Sequence, residues 1–250
     1  MGFKSPTPKM VNTILFDLDG TLLQFRQDEF IKAYFGKLAG VFVQCGIDPE
    51  QAIKAVWAGT RAMIKNDGKE LNIKRFWNTF AEALRIDEEL LLKVEAACDE
   101  FYTNDFNEVK SIVKHSDIPK QIVKKMKDKG YTIVLATNPL FPECGVLSRL
   151  EWGEIDADDF ALITHYGNSS YCKPNLDYFH EILSKVKKTP EECLMVGNTP
   201  HEDMIAGKLG MQTFLVMDSL EYEGDSNVTD YRRGSLKDLE SFLLSMPDLV

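Results

Sequence analysis

Asp17 and Asp19 stand one residue apart where the apolar run Ile14-Leu15-Phe16 stops, and Gly20-Thr21 follow at once. Two carboxylates this close repel each other unless a cation or a shared proton offsets the repulsion. A carboxylate beside a hard divalent cation can attack phosphorus and form an acyl-phosphate. A second carboxyl nearby can protonate the leaving alcohol and then activate water. Gly20 lets the backbone turn closely around a phosphate and offer its amide hydrogens as donors.

Three further segments carry matching chemistry: Thr137-Asn138-Pro139, Lys173-Pro174, and Gly197-Asn198-Thr199-Pro200-His201-Glu202-Asp203. Thr137 can donate to a phosphoryl oxygen, with Asn138 beside it on the substrate side. Lys173 supplies a compact positive charge for oxygens that gain density during transfer. Asn198 and Asp203, five residues apart, complete an oxygen-rich cation site with Asp17 and Asp19. Hard oxygen ligands and a phosphate-bearing substrate favour Mg2+ over zinc. His201 begins a helix beside this group and reads as structural, while His115, His165 and His180 share no ligand spacing.

These segments meet only if the elements before them are strands of one sheet, because open parallel sheets collect ligands beyond their carboxyl ends. Residues 11–16 have the length and β-branched, aromatic composition of a buried strand. Tyr131-Thr132-Ile133-Val134-Leu135-Ala136, Cys193-Leu194-Met195-Val196-Gly197 and Met211 to Met217 repeat that signal. Between them, Pro119 opens a helix that Gly130 closes, Pro174 opens another ending near Val186, and a third runs from about 201 to Leu209, with Gly210 as its cap. Strands alternating with helices predict a doubly wound α/β core with a mostly parallel sheet. Residues 24–113 differ. Ile31, Tyr34, Phe35, Leu38, Val41, Phe42 and Cys45 fall on one helix face that Gly46 ends. Similar patterns follow from Pro49, around Phe76 and Phe80, and from Leu90 to Tyr102. Four helices without a strand form an inserted domain, dividing the chain into a core of 1–23 and 114–250 and an insertion of 24–113. Residues 219–235 read as a polar surface loop.

The 250 residues suffice for one large core and a smaller second one. A formal net charge of −10 opposes binding to nucleic acid or to an anionic membrane surface. No segment approaches the roughly 18 apolar residues that span a bilayer. The five cysteines are an odd number with no CxxC pair, which points to a reducing cytoplasm rather than a disulfide framework or zinc cluster. The first ten residues have no apolar run of signal-peptide length, and Pro6 stands where a myristoylated Gly2 would need serine or threonine later in the motif.

With DxDGT at 17–21, a threonine after the second core strand, a lysine followed by proline, and the late segment 197–203, the chain resembles the haloacid dehalogenase-like (HAD) hydrolase superfamily. The resemblance covers about 11–23 and 114–218 and implies a Rossmann-like core. The insertion resembles the all-helical cap of subclass I. On that resemblance Asp17 falls on the nucleophile, Asp19 on the acid/base, and Thr137 and Lys173 on the phosphate-binding pair. Mg2+ would be held by Asp17, the main-chain carbonyl of Asp19 and the late motif, where Asn198 replaces a common aspartate. The implied function is Mg2+-dependent hydrolysis of a small phosphorylated metabolite through an aspartyl-phosphate. The alternative is a phosphate-binding or regulatory relative with weak or no turnover, which Asn198 motivates. A carbon–halogen hydrolase is disfavoured because halide leaves without a proton and needs no Asp19. Gln24 and Phe25 depart from the acid common in sugar phosphomutase and phosphoglycolate phosphatase relatives. Arg26, Arg61, Lys65 and Arg75 are the insertion's candidates for reaching substrate.

Overall fold

The computed structural model describes residues 10–221 and 228–250. Its strands are β1 (Thr13–Phe16), β2 (Thr132–Leu135), β3 (Leu162–Ile163), β4 (Cys193–Gly197), β5 (Gln212–Val216) and β6 (Arg233–Gly234). They form one sheet in the order β3-β2-β1-β4-β5-β6, and every neighbouring pair is parallel. The chain therefore winds outward from β1 to β3, returns to β4 and winds outward the other way. Where the order reverses, between β1 and β4, the connecting chains diverge and leave a crevice. Phe16 is in register with Leu135 on one side and Val196 on the other, so the residues after all three strands emerge together.

Side chains alternate across the sheet, as the period of two requires. Ile14, Phe16, Ile133, Leu135, Leu194 and Val196 belong to the cluster shared with α5 (Ile118–Asp128) and α8 (Leu236–Leu244). Leu15, Val134, Cys193 and Met195 belong to a second cluster with α7 (Leu176–Val186) and the 3-10 turn Met204–Leu209. Helices thus cover both faces, which is the doubly wound arrangement.

The insertion consists of α1 (Gln27–Gln44), α2 (Pro49–Ile64), α3 (Asn72–Leu84), α4 (Glu88–Thr103) and a 3-10 stretch, Asp105–Ile112. Capping explains two of its corners. Asp48 accepts the Gln51 N–H at 2.9 Å with Pro49 at the first helical position, and Asp87 accepts the Leu90 N–H at 2.9 Å. The chains that enter and leave the helices run antiparallel, with the Lys114 N–H donating to the Gln24 carbonyl at 2.8 Å. The large cluster continues from the sheet face through α6 (Glu143–Trp152) into α1 and α4. Phe106 lies 4.7 Å from Trp152 and Tyr34 5.5 Å from Phe141, ring centre to ring centre. Among the described residues no single helix is long and apolar enough to cross a membrane.

Three local expectations need correction. The segment after Pro200 is a turn and a short 3-10 stretch rather than a helix from 201, because Asp203 folds back, its N–H donating to the Thr199 carbonyl at 2.8 Å. Pro174 precedes α7 rather than opening it. The helix begins at Leu176 under a cap in which Asn175 accepts the Asp177 N–H at 2.9 Å. Residues 219–235 are not wholly a loop, since they contain the 3-10 turn Val228–Asp230 and β6. Residues 222–227 of that stretch lie outside the described residues.

Candidate active site

Asp17 directly follows β1, Thr137 stands two residues beyond β2, and Asn198 follows β4. The register of these three strands brings them to one edge of the crevice. Lys173, from the segment before α7, reaches the same place. Its ammonium donates to Asp17 Oδ1 at 2.9 Å and to Asp203 Oδ1 at 2.6 Å. All five residues are buried, Lys173 to 1% exposure and Asp17 to 7%. An isolated charge at such depth costs several kcal/mol, so each depends on the others. Burial opposes the Lys173 charge, but the carboxylates of Asp17 and Asp203 overcome it and hold the ammonium well above its usual range. Burial pushes the Asp203 carboxyl up to about 7 against the pull of Lys173, with Asp17 adding to the rise.

Asn198 is fixed at both ends of its amide. Its Nδ2 donates to the Ser219 carbonyl at 2.7 Å, which turns Oδ1 toward the Thr21 hydroxyl at 3.2 Å. That hydroxyl also lies 3.1 Å from Asp17 Oδ2, and it has one proton for the two acceptors. An aspartate at 198 would face the Ser219 carbonyl with an oxygen instead of a donor. Gly20 is required twice here. Its φ is +79°, and a Cβ would fall 2.1 Å from Asn198 Nδ2. Gln24 closes the loop, donating to the carbonyls of Gly20 at 3.0 Å and Thr21 at 2.8 Å.

Asp19 has a different environment. Its Oδ2 accepts from Nη1 of Arg149, a fully buried residue of α6. The guanidinium also bonds the Gly145 carbonyl at 3.2 Å and lies 4.2 Å above the Phe141 ring. Asp19 Oδ1 and Arg149 Nη2 have no hydrogen-bond partner. Burial raises the Asp19 carboxyl above the ordinary carboxylate range. Arg149 opposes that shift and Asp17 adds to it.

A cavity of about 220 Å3 opens above these groups, and Asp17, Asp19, Thr137, Asn138, Asn198 and Asp203 line its floor. Asn138 links two parts of that floor, donating to Glu202 at 3.2 Å and accepting the Lys173 N–H at 3.2 Å. Arg149 and Glu202 had no sequence signal of their own in this role, and Thr21 had one only as the end of DxDGT. Arg149 carried the one available hint, a charge inside the apolar pattern Val146-Leu147-Leu150-Trp152. The insertion's expected cations are elsewhere. Arg26 pairs with Asp28 in solvent, Arg75 pairs with Asp67 and Glu70, and neither these nor Arg61 and Lys65 line the cavity.

The side-chain donors that the floor brings together at Asp17, Asn198 and Asp203 are all oxygen, two carboxylates and one amide. That is the chemistry of a Mg2+ site. Among the described residues, however, no three His, Cys, Asp or Glu side chains are grouped as metal ligands. Lys173 stands between the two acids that would otherwise share a cation.

A parallel sheet with paired acids at its switch point, beneath a helical insertion, defines a class of hydrolase core that comparison with known proteins identifies. The family model for haloacid dehalogenase-like hydrolases matches residues 11–210, and the chain belongs to that family. Among its relatives, pyrophosphatase PpaX of Bacillus cereus is 24% identical over 235 residues, 94% of this chain and 95% of that protein. Phosphoglycolate phosphatase of Vibrio vulnificus is 26% identical over 214 residues, 83% of this chain and 84% of that one. The crystal structure of 2-haloacid dehalogenase from Pseudomonas syringae shares the fold, with a TM-score of 0.63 at 17% identity over 94% of this chain and 99% of that one.

Proposed function

We propose that the protein is a Mg2+-dependent phosphatase that hydrolyses a small phosphomonoester through an aspartyl-phosphate on Asp17. The observation that carries this reading is the unequal setting of two neighbouring acids on one cavity floor. Asp17 is ion-paired and hydrogen-bonded, the setting of a carboxylate nucleophile. Asp19, held through one oxygen by Arg149, nonetheless has a raised carboxyl and a second oxygen without a partner, the setting of a proton donor.

In the first half-reaction a carboxylate oxygen of Asp17 bonds to phosphorus, the bond from phosphorus to the ester oxygen breaks, and the departing oxygen takes the Asp19 proton. In the second, the Asp19 carboxylate removes a proton from water, whose oxygen displaces Asp17 from phosphorus and releases inorganic phosphate. Lys173 has one N–H beyond its two ion pairs to offer a phosphoryl oxygen. Thr137, on the cavity floor, supplies a hydroxyl for a second. Arg149 keeps Asp19 turned into the cavity. Asp17, the Asp19 carbonyl, Asn198 and Asp203 would hold Mg2+, which supplies charge neutralisation for the phosphoryl oxygens when bound.

The names of two relatives, a pyrophosphatase and a phosphoglycolate phosphatase, agree with hydrolysis at phosphorus. A second reading, phosphate-ligand binding with little turnover, is favoured by Asn198, which contributes no charge to a cation. The test is phosphate release from a panel of small phosphomonoesters, with and without Mg2+, beside Asp17→Asn. Metal-dependent release that falls by about 10^4-fold or more in Asp17→Asn is expected. Release that survives the substitution would sink the mechanism, and tight phosphate-ligand binding without release would favour the second reading.

A further inference from the structure

The cavity rises from the acids between α1, α2, α3 and α4, and its walls there are aromatic and aliphatic. Leu38 and Phe42 of α1, Val56 of α2 and Phe80 of α3 are almost wholly buried yet face the same space as Asp17 and Asp19. Phe76 and Trp77 complete the wall, with ring centres 6.1 and 5.3 Å from Phe80. Several polar atoms among them are already occupied. Tyr34 and Tyr102 share a hydrogen bond of 2.6 Å, and the Thr60 hydroxyl donates to its own helix at the Val56 carbonyl, 2.9 Å away. Burial pushes the Cys98 thiol up to about 12, which keeps it neutral.

Among the described residues none of the side chains lining the roof is lysine, arginine or histidine, and the cations at the floor, Lys173 and Arg149, are already engaged with Asp17, Asp203 and Asp19. A substrate with a second anionic group would meet carboxylates below and hydrocarbon above. A sugar would lose water from its hydroxyls against a largely hydrocarbon wall whose Tyr34, Tyr102 and Thr60 hydroxyls are already engaged, a cost that an apolar group does not carry. Size agrees with this selection. An apolar cavity of about 150 Å3 takes up benzene, and this one, at about 220 Å3, has room for one ring or short branched chain together with the reacting group.

We propose that the cavity selects phosphomonoesters of apolar alcohols, such as a benzyl, aryl or short branched alkyl phosphate. The proposal rests on the phosphatase reading of the floor and adds the identity of the leaving group. It separates this chain from relatives named for pyrophosphate and phosphoglycolate, whose second charge has no partner in this roof.

The experiment compares kcat/KM for benzyl phosphate and n-butyl phosphate with that for phosphoglycolate, glycerol 3-phosphate and inorganic pyrophosphate. In parallel, benzyl alcohol is titrated against tryptophan fluorescence, since Trp57 and Trp77 both border the cavity. The expected result is a kcat/KM for benzyl phosphate about 100-fold above those for the charged and hydroxylated esters, with saturable quenching by benzyl alcohol. Thr60→Lys, which puts a cation into the roof, should narrow the ratio of benzyl phosphate to phosphoglycolate by about tenfold. If that variant fails to fold, the wild-type series still decides. Equal or faster hydrolysis of the charged or hydroxylated esters overturns the proposal and leaves the phosphatase reading in place. No hydrolysis of any ester, with benzyl alcohol still bound and its binding weakened by Thr60→Lys, keeps the apolar selection and overturns the phosphatase reading. Neither hydrolysis nor binding overturns both.

Discussion

The floor and the roof of the cavity are built on opposite principles. On the floor a handful of residues from three strand ends and two loops hold one another through charge, so that Lys173, Asp17 and Asp203 are each buried only because the others are. The roof has no comparable network. Its side chains are interchangeable in kind and matter through shape and hydrocarbon area, as in any protein interior. On the proposed reading, reaction belongs to one surface and selection to the other, so that either can be damaged without the other.

The largest expected effect is on the floor. Lys173→Met should lower phosphate release by about 10^3-fold, because it removes the cation facing the transferring oxygens. It should also lower stability by about 3 kcal/mol, because Asp17 and Asp203 are left buried without their partner. Benzyl alcohol binding in the roof should be unchanged. Steady-state kinetics, urea unfolding and fluorescence titration check the three parts, and a loss of roof binding would break the proposed separation. Arg149→Met is expected to have the next effect, about 10^2-fold on kcat with little change in KM, since Asp19 loses its anchor while the binding surfaces remain. A rise in KM without a fall in kcat would move Arg149 from the floor's account to the roof's.

The smallest effect concerns protons. The folded Asp203 carboxyl lies near 7, above its unfolded value near 4, so the folded metal-free protein binds a proton there that the unfolded chain does not. Its contribution to stability is full below about 4 and is lost as pH rises through about 7. Mg2+ needs the carboxylate, so affinity should fall about tenfold per pH unit below 7. Calorimetric Mg2+ titrations at pH 6 and pH 8, with urea unfolding of the metal-free protein at both values, measure the two signs. Affinity unchanged between them would remove Asp203 from the ligand set.

The same contrast explains what the sequence disclosed. Two acids, a threonine and a lysine at the ends of apolar runs are unusual placements, and the parallel sheet that unites them follows from the alternation of strands and helices. Arg149 was hidden because it lies inside α6, an element of only ten residues that carries no catalytic motif of its own. The roof was hidden for the opposite reason. Phe42 and Phe80 obey the helical spacing of ordinary core residues, and nothing in a periodicity distinguishes a side chain facing a neighbour from one facing an open space. β3 and β6, two residues each, are too short for an alternation to register.

The apolar cluster that passes unbroken from the sheet face through Phe106, Phe141 and Trp152 into α1 and α4 also bears on how the molecule melts. Pulling the insertion away from the sheet would expose aromatic surface on both pieces, at about 1.5–3 kcal/mol for each large side chain uncovered. The two parts are therefore expected to unfold together. A calorimetric scan should show a single endotherm, and a chain with residues 24–113 excised should not retain a folded core.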